Sequence, residues 1–148
     1  MMFSLENRQT SMELDLRRVR RMLLTVLEEL GLENRDLEVE LVDDGAITVL
    51  NEKFFSRLRP TNVISFPFDE DTGRPGSEDG GPLGSIVVSV ETAARETGDL
   101  GYSLEEGVVY YLIHGLLHLV GYEHIGVAAE DAARMEKRQD ELFSLALR

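Results

Sequence analysis

All three histidines of the chain, His114, His118 and His124, fall inside one run of eleven residues, HGLLHLVGYEH. His114 and His118 are four positions apart, so on a helix they project from one side, one turn above the other. Gly121 offers that helix a place to stop. A turn there would bring His124 back to the same point in space. Three imidazoles converging from a helix and the loop behind it suit a divalent transition metal, zinc above all, with the fourth position open for chemistry. One Zn2+ per chain is the implied cofactor. A closed structural zinc would need a fourth protein ligand, and the chain has no cysteine. Glu123 or an acid on the final helix is the remaining donor for that arrangement.

The spacing HxxxHxxxxxH is also that of the zinc helix in metzincin peptidases, HExxHxxGxxH, where a Glu after the first His is the general base. Gly115 holds that place here, and glycine cannot accept a proton, so peptide hydrolysis lacks its key group. Phosphodiester cleavage does not need it. Zinc lowers the pKa of bound water from about 15.7 toward about 7, or polarises a phosphoryl oxygen while a neighbouring 2′-hydroxyl attacks. Negative charge then builds on the phosphate, and a guanidinium fits it bidentately. Arg57 and Arg59 are the candidate catalytic cations. Gly115 itself costs a helix about 1 kcal/mol relative to alanine. Close packing against a strand is the simpler reason for it, and room for a substrate beside the metal the other.

Elements must position these groups. Phe3 to Glu6 alternates as a short strand, and Leu16, Val19, Leu23, Leu27 and Leu30 mark an amphipathic helix over 14–30 capped by Gly31. Leu37, Val39 and Leu41 alternate with Glu38 and Glu40 as a half-buried strand. After a turn at Asp43–Gly45, a helical stripe runs through Ile47, Leu50, Phe54 and Leu58. Val63 to Phe66 is a strand stopped by Pro67, and 69–82 is a Gly-, Pro- and acid-rich surface loop. Ile86 to Val90 reads as a central strand and Glu91 to Thr97 as a short helix. A buried helix from Leu104 to about Val120 carries His114 and His118, and a last helix spans about 127–147. Early strands and late long helices predict a single α+β domain over 1–148, with about four strands in a mixed sheet and about five helices. A doubly wound α/β fold is the alternative.

Composition narrows the function. At 43% hydrophobic residues in 148, the chain can build one core. No stretch approaches a membrane span, the N-terminus lacks a secretory signal, and no disulfide partner exists, which together favour the cytoplasm. The net charge of −13 excludes a generic nucleic-acid binder. Any RNA contact must come from local cations: Arg57 with Arg59, the cluster Arg17, Arg18, Arg20 and Arg21, and the metal itself. For the cluster, a solvated helix face balancing Glu28 and Glu29 is the plainer reading.

HGLLHLVGYEH resembles the signature of the YbeY family, HGxLHLxGYDH followed by an acidic helix. RPTNVISFP (59–67) is similar to that family's second motif and LGSIVVSVE (83–91) to its third, so the likeness runs from about Leu50 to Glu136. The resemblance implies one compact α+β domain and a zinc-dependent endoribonuclease of single-strand type. It further implies a role in small-subunit ribosomal RNA maturation and ribosome quality control, with ribosomal RNA and ribosomal proteins or assembly GTPases as partners. Thr61, Asn62 and Ser65 would line the metal cleft, and Glu130, Asp131 or Glu136 would accept a hydrogen bond from a ligand imidazole. Two positions depart from the pattern. The family commonly carries an aromatic–Arg pair just before its PTN or PTD motif, and that Arg is its favoured catalytic cation. This chain has Phe54 followed by Phe55. Ser85 stands where the family usually has Asp. The rival readings are a non-catalytic ribosome-assembly factor with a structural zinc, and a metallohydrolase of peptides or amides.

Overall fold

The computed structural model describes residues 3–57, 61–68, 81–121 and 129–148. Four strands, β1 (Phe3–Asn7), β2 (Asp36–Val42), β3 (Val63–Pro67) and β4 (Pro82–Ser89), form one sheet in the order β1-β2-β4-β3. β1, β2 and β4 run parallel and β3 lies antiparallel to β4, Val63 opposite Val88 and Ser65 opposite Ile86. The helices are α1 (Leu16–Glu29), α2 (Asp44–Phe55), α3 (Val90–Thr97), α4 (Leu104–Leu119) and α5 (Ala129–Ala146), with a 3-10 turn over Gly98–Leu100. This is the expected α+β domain with a mixed four-stranded sheet and five helices.

Alternation along the strands divides the apolar residues between two faces. Leu37, Val39, Leu41, Leu83, Ile86 and Val88 join α1, α3, α4 and α5 in the main core. Val42, Val87 and Ile64 face the other way and form a small cluster with Ile47 of α2. α4 lies at the centre of the main core, against α1, α3, α5, β3 and β4. Its Val108, Val109, Leu112, Ile113, Leu116 and Leu117 are wholly enclosed. Burial of each contributes about 2 kcal/mol.

Local chemistry sets the ends of these elements. Ser103 and Glu106 form a capping box at the start of α4, and Arg18 of α1 donates to Ser103 Oγ (3.1 Å) and Glu106 Oε2 (2.9 Å). The Ser103 backbone N–H holds the Glu106 carboxyl below its ordinary pKa against the upward push of burial, and Arg18 adds to this. Arg20 lies over the Phe3 ring at 4.8 Å. Two members of the arginine cluster thus serve the fold, while Arg17 and Arg21 are exposed. Gly31 takes φ +70° after α1, as its capping role requires. The expected turn at Asp43–Gly45 is instead the start of α2, because Asp43 accepts from the Ala46 N–H at 3.1 Å. β4 begins four residues earlier than its apolar run suggests. Proline is tolerated as a first strand residue, and Gly84 lets the Phe66 carbonyl and Leu119 approach where any Cβ would collide. Ser89 then caps α3, which takes Val90 out of the strand.

One half-buried polar junction fixes α2 against α3. Asp44 accepts from Ser89 Oγ and Thr92 Oγ1, each at 2.6 Å, and from Arg95 Nη1 at 2.7 Å. Burial alone would raise the Asp44 pKa, but these hydrogen bonds and the Arg95 charge outweigh it and leave the carboxyl below 3.8. A carboxyl stabilised in its charged form adds stability that is present above 3.8 and fades as the pH falls through the lower folded value. Asp44→Ala strands the enclosed Ser89 and Thr92 hydroxyls, so we expect a loss of about 2 kcal/mol near neutral pH. Urea titrations at pH 7 and pH 3 check it, the gap between variant and parent narrowing at the lower pH.

Candidate metal centre and substrate cleft

α4 holds His114 and His118 on its one half-open side, within an otherwise enclosed helix. Their Nε2 atoms are 3.2 Å apart and their rings 4.7 Å apart, edge to face. Two nitrogens on one tetrahedral zinc, each bonded at 2.0–2.1 Å, are separated by about 3.3 Å. The pair therefore already has the spacing of two zinc ligands. α4 ends at Leu119, and Gly121 at φ +103° donates its N–H to the His118 carbonyl at 3.1 Å. The helix stops where the sequence indicates. His124 lies outside the described residues, and among those described no third His, Asp or Glu completes a metal-binding group.

The opposite nitrogen of His114 is held by a residue the sequence reading passed over. Gln139 of α5, 4% exposed, donates from Nε2 to the Tyr110 carbonyl at 3.3 Å, which turns its Oε1 to His114 Nδ1 at 2.9 Å. His114 accordingly carries its hydrogen on Nδ1 and presents the Nε2 lone pair toward His118. An acid was expected in this role. Glu130 and Asp131 are exposed and Glu136 lines the cleft, and on His114 the place is taken by Gln139. The signal was present: Met135, Leu142, Phe143 and Ala146 are the buried stripe of α5, and Gln139 is the polar residue at that spacing.

The histidines open into a cleft of about 930 Å³ between α4, α5, the end of α2 and the edge strand β3. Thr61, Asn62 and Ser65 line it, as expected of the PTN segment, together with Phe55 and Arg57. Arg57 is exposed and makes no ion pair among the described residues, while Arg59 lies outside them. Glu96 of α3 organises one wall, accepting from Tyr111 Oη at 2.9 Å and Asn62 Nδ2 at 3.1 Å. Burial, then the bond to Glu96, pushes the Tyr111 phenol well above its usual pKa, so it stays a donor at neutral pH. Gly115 also lines the cleft, but a Cβ there would sit 2.9 Å from Ile86 Cγ2 and 3.1 Å from Val63 Cγ2. Close packing of α4 on the sheet accounts for this glycine. Ser85, the second departure from the family pattern, pairs with Phe66 in the sheet.

The chain is similar to known proteins. Residues 4–146 match the family described as Endoribonuclease YbeY. The endoribonuclease YbeY of Syntrophus aciditrophicus is 35% identical over 98% of this chain and 89% of its own length. That of Geobacter sulfurreducens is 35% identical over 98% and 95%, and that of Aquifex aeolicus 39% identical over 82% and 74%. A solution structure of a Thermotoga maritima protein superposes with a TM-score of 0.66 at 23% identity, covering 98% of this chain and 89% of that one, which establishes the fold. By the extent of these matches, the chain belongs to the endoribonuclease YbeY family.

Proposed function

We propose that this protein is a zinc-dependent endoribonuclease that cleaves single-stranded RNA in ribosomal RNA maturation. Family membership supports nuclease chemistry. The observation that carries the metal-dependent reading is the His114–His118 pair, spaced at 3.2 Å with the tautomer set by Gln139. His114, His118 and His124 would hold the metal. When bound, zinc supplies Lewis acidity toward a phosphoryl oxygen and a positive charge at the cleft floor. That charge matters because the described cleft residues include one cation, Arg57, against the carboxylates of Glu136 and Asp140. A dication turns this formal balance from −1 to +1 and makes the cleft attractive to phosphate.

The protein's own groups do the remaining work. Arg57, with Arg59 as its neighbour in sequence, neutralises charge developing on the scissile phosphate. Thr61, Ser65 and the Asn62 amide steadied by Glu96 hold the strand along β3. Gly115 leaves no general base beside His114, so peptide cleavage is not the reading favoured.

Gln139→Leu removes the acceptor from His114 Nδ1, and zinc affinity is expected to fall about 10- to 100-fold. Gln139→Glu, which keeps an acceptor, should recover most of it. Competition against a chelator of known affinity measures both, and equal affinities for parent and Leu variant would exclude the role given to Gln139.

The function is tested by loading the protein with zinc, incubating it with single-stranded and structured RNA, and characterising the product ends. A 2′,3′-cyclic phosphate indicates attack by the neighbouring hydroxyl, and a simple monoester indicates water. Zinc-loaded protein that binds ribosomal particles tightly but turns over no RNA would replace the enzyme with an assembly factor.

A further inference from the structure

Phe54 and Phe55 end α2 side by side and meet different surroundings. Phe54 contacts Phe66 edge-on at 5.0 Å and lies under the Lys53 ammonium at 5.4 Å. Phe55 is 50% exposed and lines the cleft that holds His114, His118 and Arg57. Among the described residues it has no ring or cation partner, whereas the tyrosine rings of that cleft, Tyr110 and Tyr111, pack on each other at 5.6 Å and the two imidazoles at 4.7 Å. An aromatic face is thus left in water at the wall of the substrate cleft.

The backbone that presents it is held in an unfavourable conformation. Ser56 caps α2 at φ 56°, ψ 34°, and is the one non-glycine residue in the left-handed region among those described. A Cβ disfavours that region, which is why glycine usually takes such caps. Two hydrogen bonds hold the reversal: Ser56 N–H to the Glu52 carbonyl at 3.0 Å and Arg57 N–H to the Asn51 carbonyl at 3.3 Å. Asn51 is itself buried in the cleft wall. The residues flanking the reversal, Phe55 and Arg57, both line the cleft as a result.

We propose that Phe55 is a stacking platform for an unpaired RNA base, with Arg57 beside it engaging the backbone phosphate. This deepens the endoribonuclease reading and rests on it. A flat ring accepts the π-face of any base, and a neighbouring guanidinium answers the phosphate that accompanies it. The surrounding wall of Thr61, Asn62 and Ser65 is polar and open, which suits a nucleotide better than the apolar side chain of a peptide. In a duplex the base faces are already occupied, so the platform also selects for single strands.

The test uses the zinc-loaded chain and a short single-stranded oligoribonucleotide, with a series in which each nucleotide in turn is abasic. Phe55→Ala should bind the intact strand about tenfold to a hundredfold more weakly, as loss of one base–aromatic stack does. The loss should appear in KM rather than kcat, and Phe55→Trp should restore it. One abasic position should cost the parent as much as Phe55→Ala does and cost the variant nothing further, the mark of two groups in contact. Equal binding by parent and Phe55→Ala, or independent losses at every abasic position, overturns the platform while leaving the nuclease intact. A parent that neither binds nor cleaves RNA overturns the endoribonuclease reading and the platform together.

Discussion

Replacing His114 and His118 together by alanine should abolish zinc binding and reduce RNA cleavage at least about a thousandfold. Metal Lewis acidity supplies several kcal/mol of transition-state stabilisation, and each 1.36 kcal/mol is about tenfold in rate. The fold should survive, because both rings face the cleft while the enclosed aliphatic residues of α4 are untouched. Elemental analysis, single-turnover cleavage and a thermal melt separate the three statements. Cleavage undiminished in this variant would identify the activity as a contaminating nuclease.

A loss of stability as large as that of Asp44→Ala is expected from Gly107→Ala. Gly107 lies on the face of α4 that meets α3, and an added Cβ would overlap Thr97 Oγ1. That hydroxyl cannot swing away freely. Thr97 is buried and donates to the Ala93 carbonyl at 2.7 Å. Either α3 moves off α4 or the bond breaks, and an overlap this deep belongs at the upper end of overpacking costs, about 3 kcal/mol. Alanine's better helix propensity returns about 1 kcal/mol, so a net loss of about 2 kcal/mol and a fall in Tm of roughly 6 °C are expected. Adding Thr97→Ala removes the colliding atom and should recover most of the difference in denaturant unfolding. A single variant as stable as the parent would show that the α3–α4 contact is not tight.

Much of this architecture was legible because each element carries its own period. The stripe of α1, the alternation of β2 and the closed apolar surface of α4 each follow from burial on one face, one side or all round. The histidine pair was legible for the same reason, since four residues on a helix leave little freedom. What stayed hidden is tertiary. Gln139 shares the spacing of the apolar stripe of α5, but that it faces His114 emerges only once α5 is laid beside α4. The first residues of β4 were hidden because Pro82 and Gly84 have no strand preference of their own. They are in the sheet because Asp36 pairs with Pro82, and Leu37 and Pro67 flank Gly84. Arg18 looked available to a ligand until α4 placed Ser103 and Glu106 against it.

α4 is clamped at its first turn and enclosed along its length, so its amides should exchange with solvent only when the whole domain opens. The backbone that carries His114 and His118 is therefore set by packing alone, ahead of the cation proposed above. Capture of the ion requires no ordering of these two side chains' backbone, and its release need not loosen them. On that reading nuclease activity follows metal supply, with the backbone of α4 unchanged.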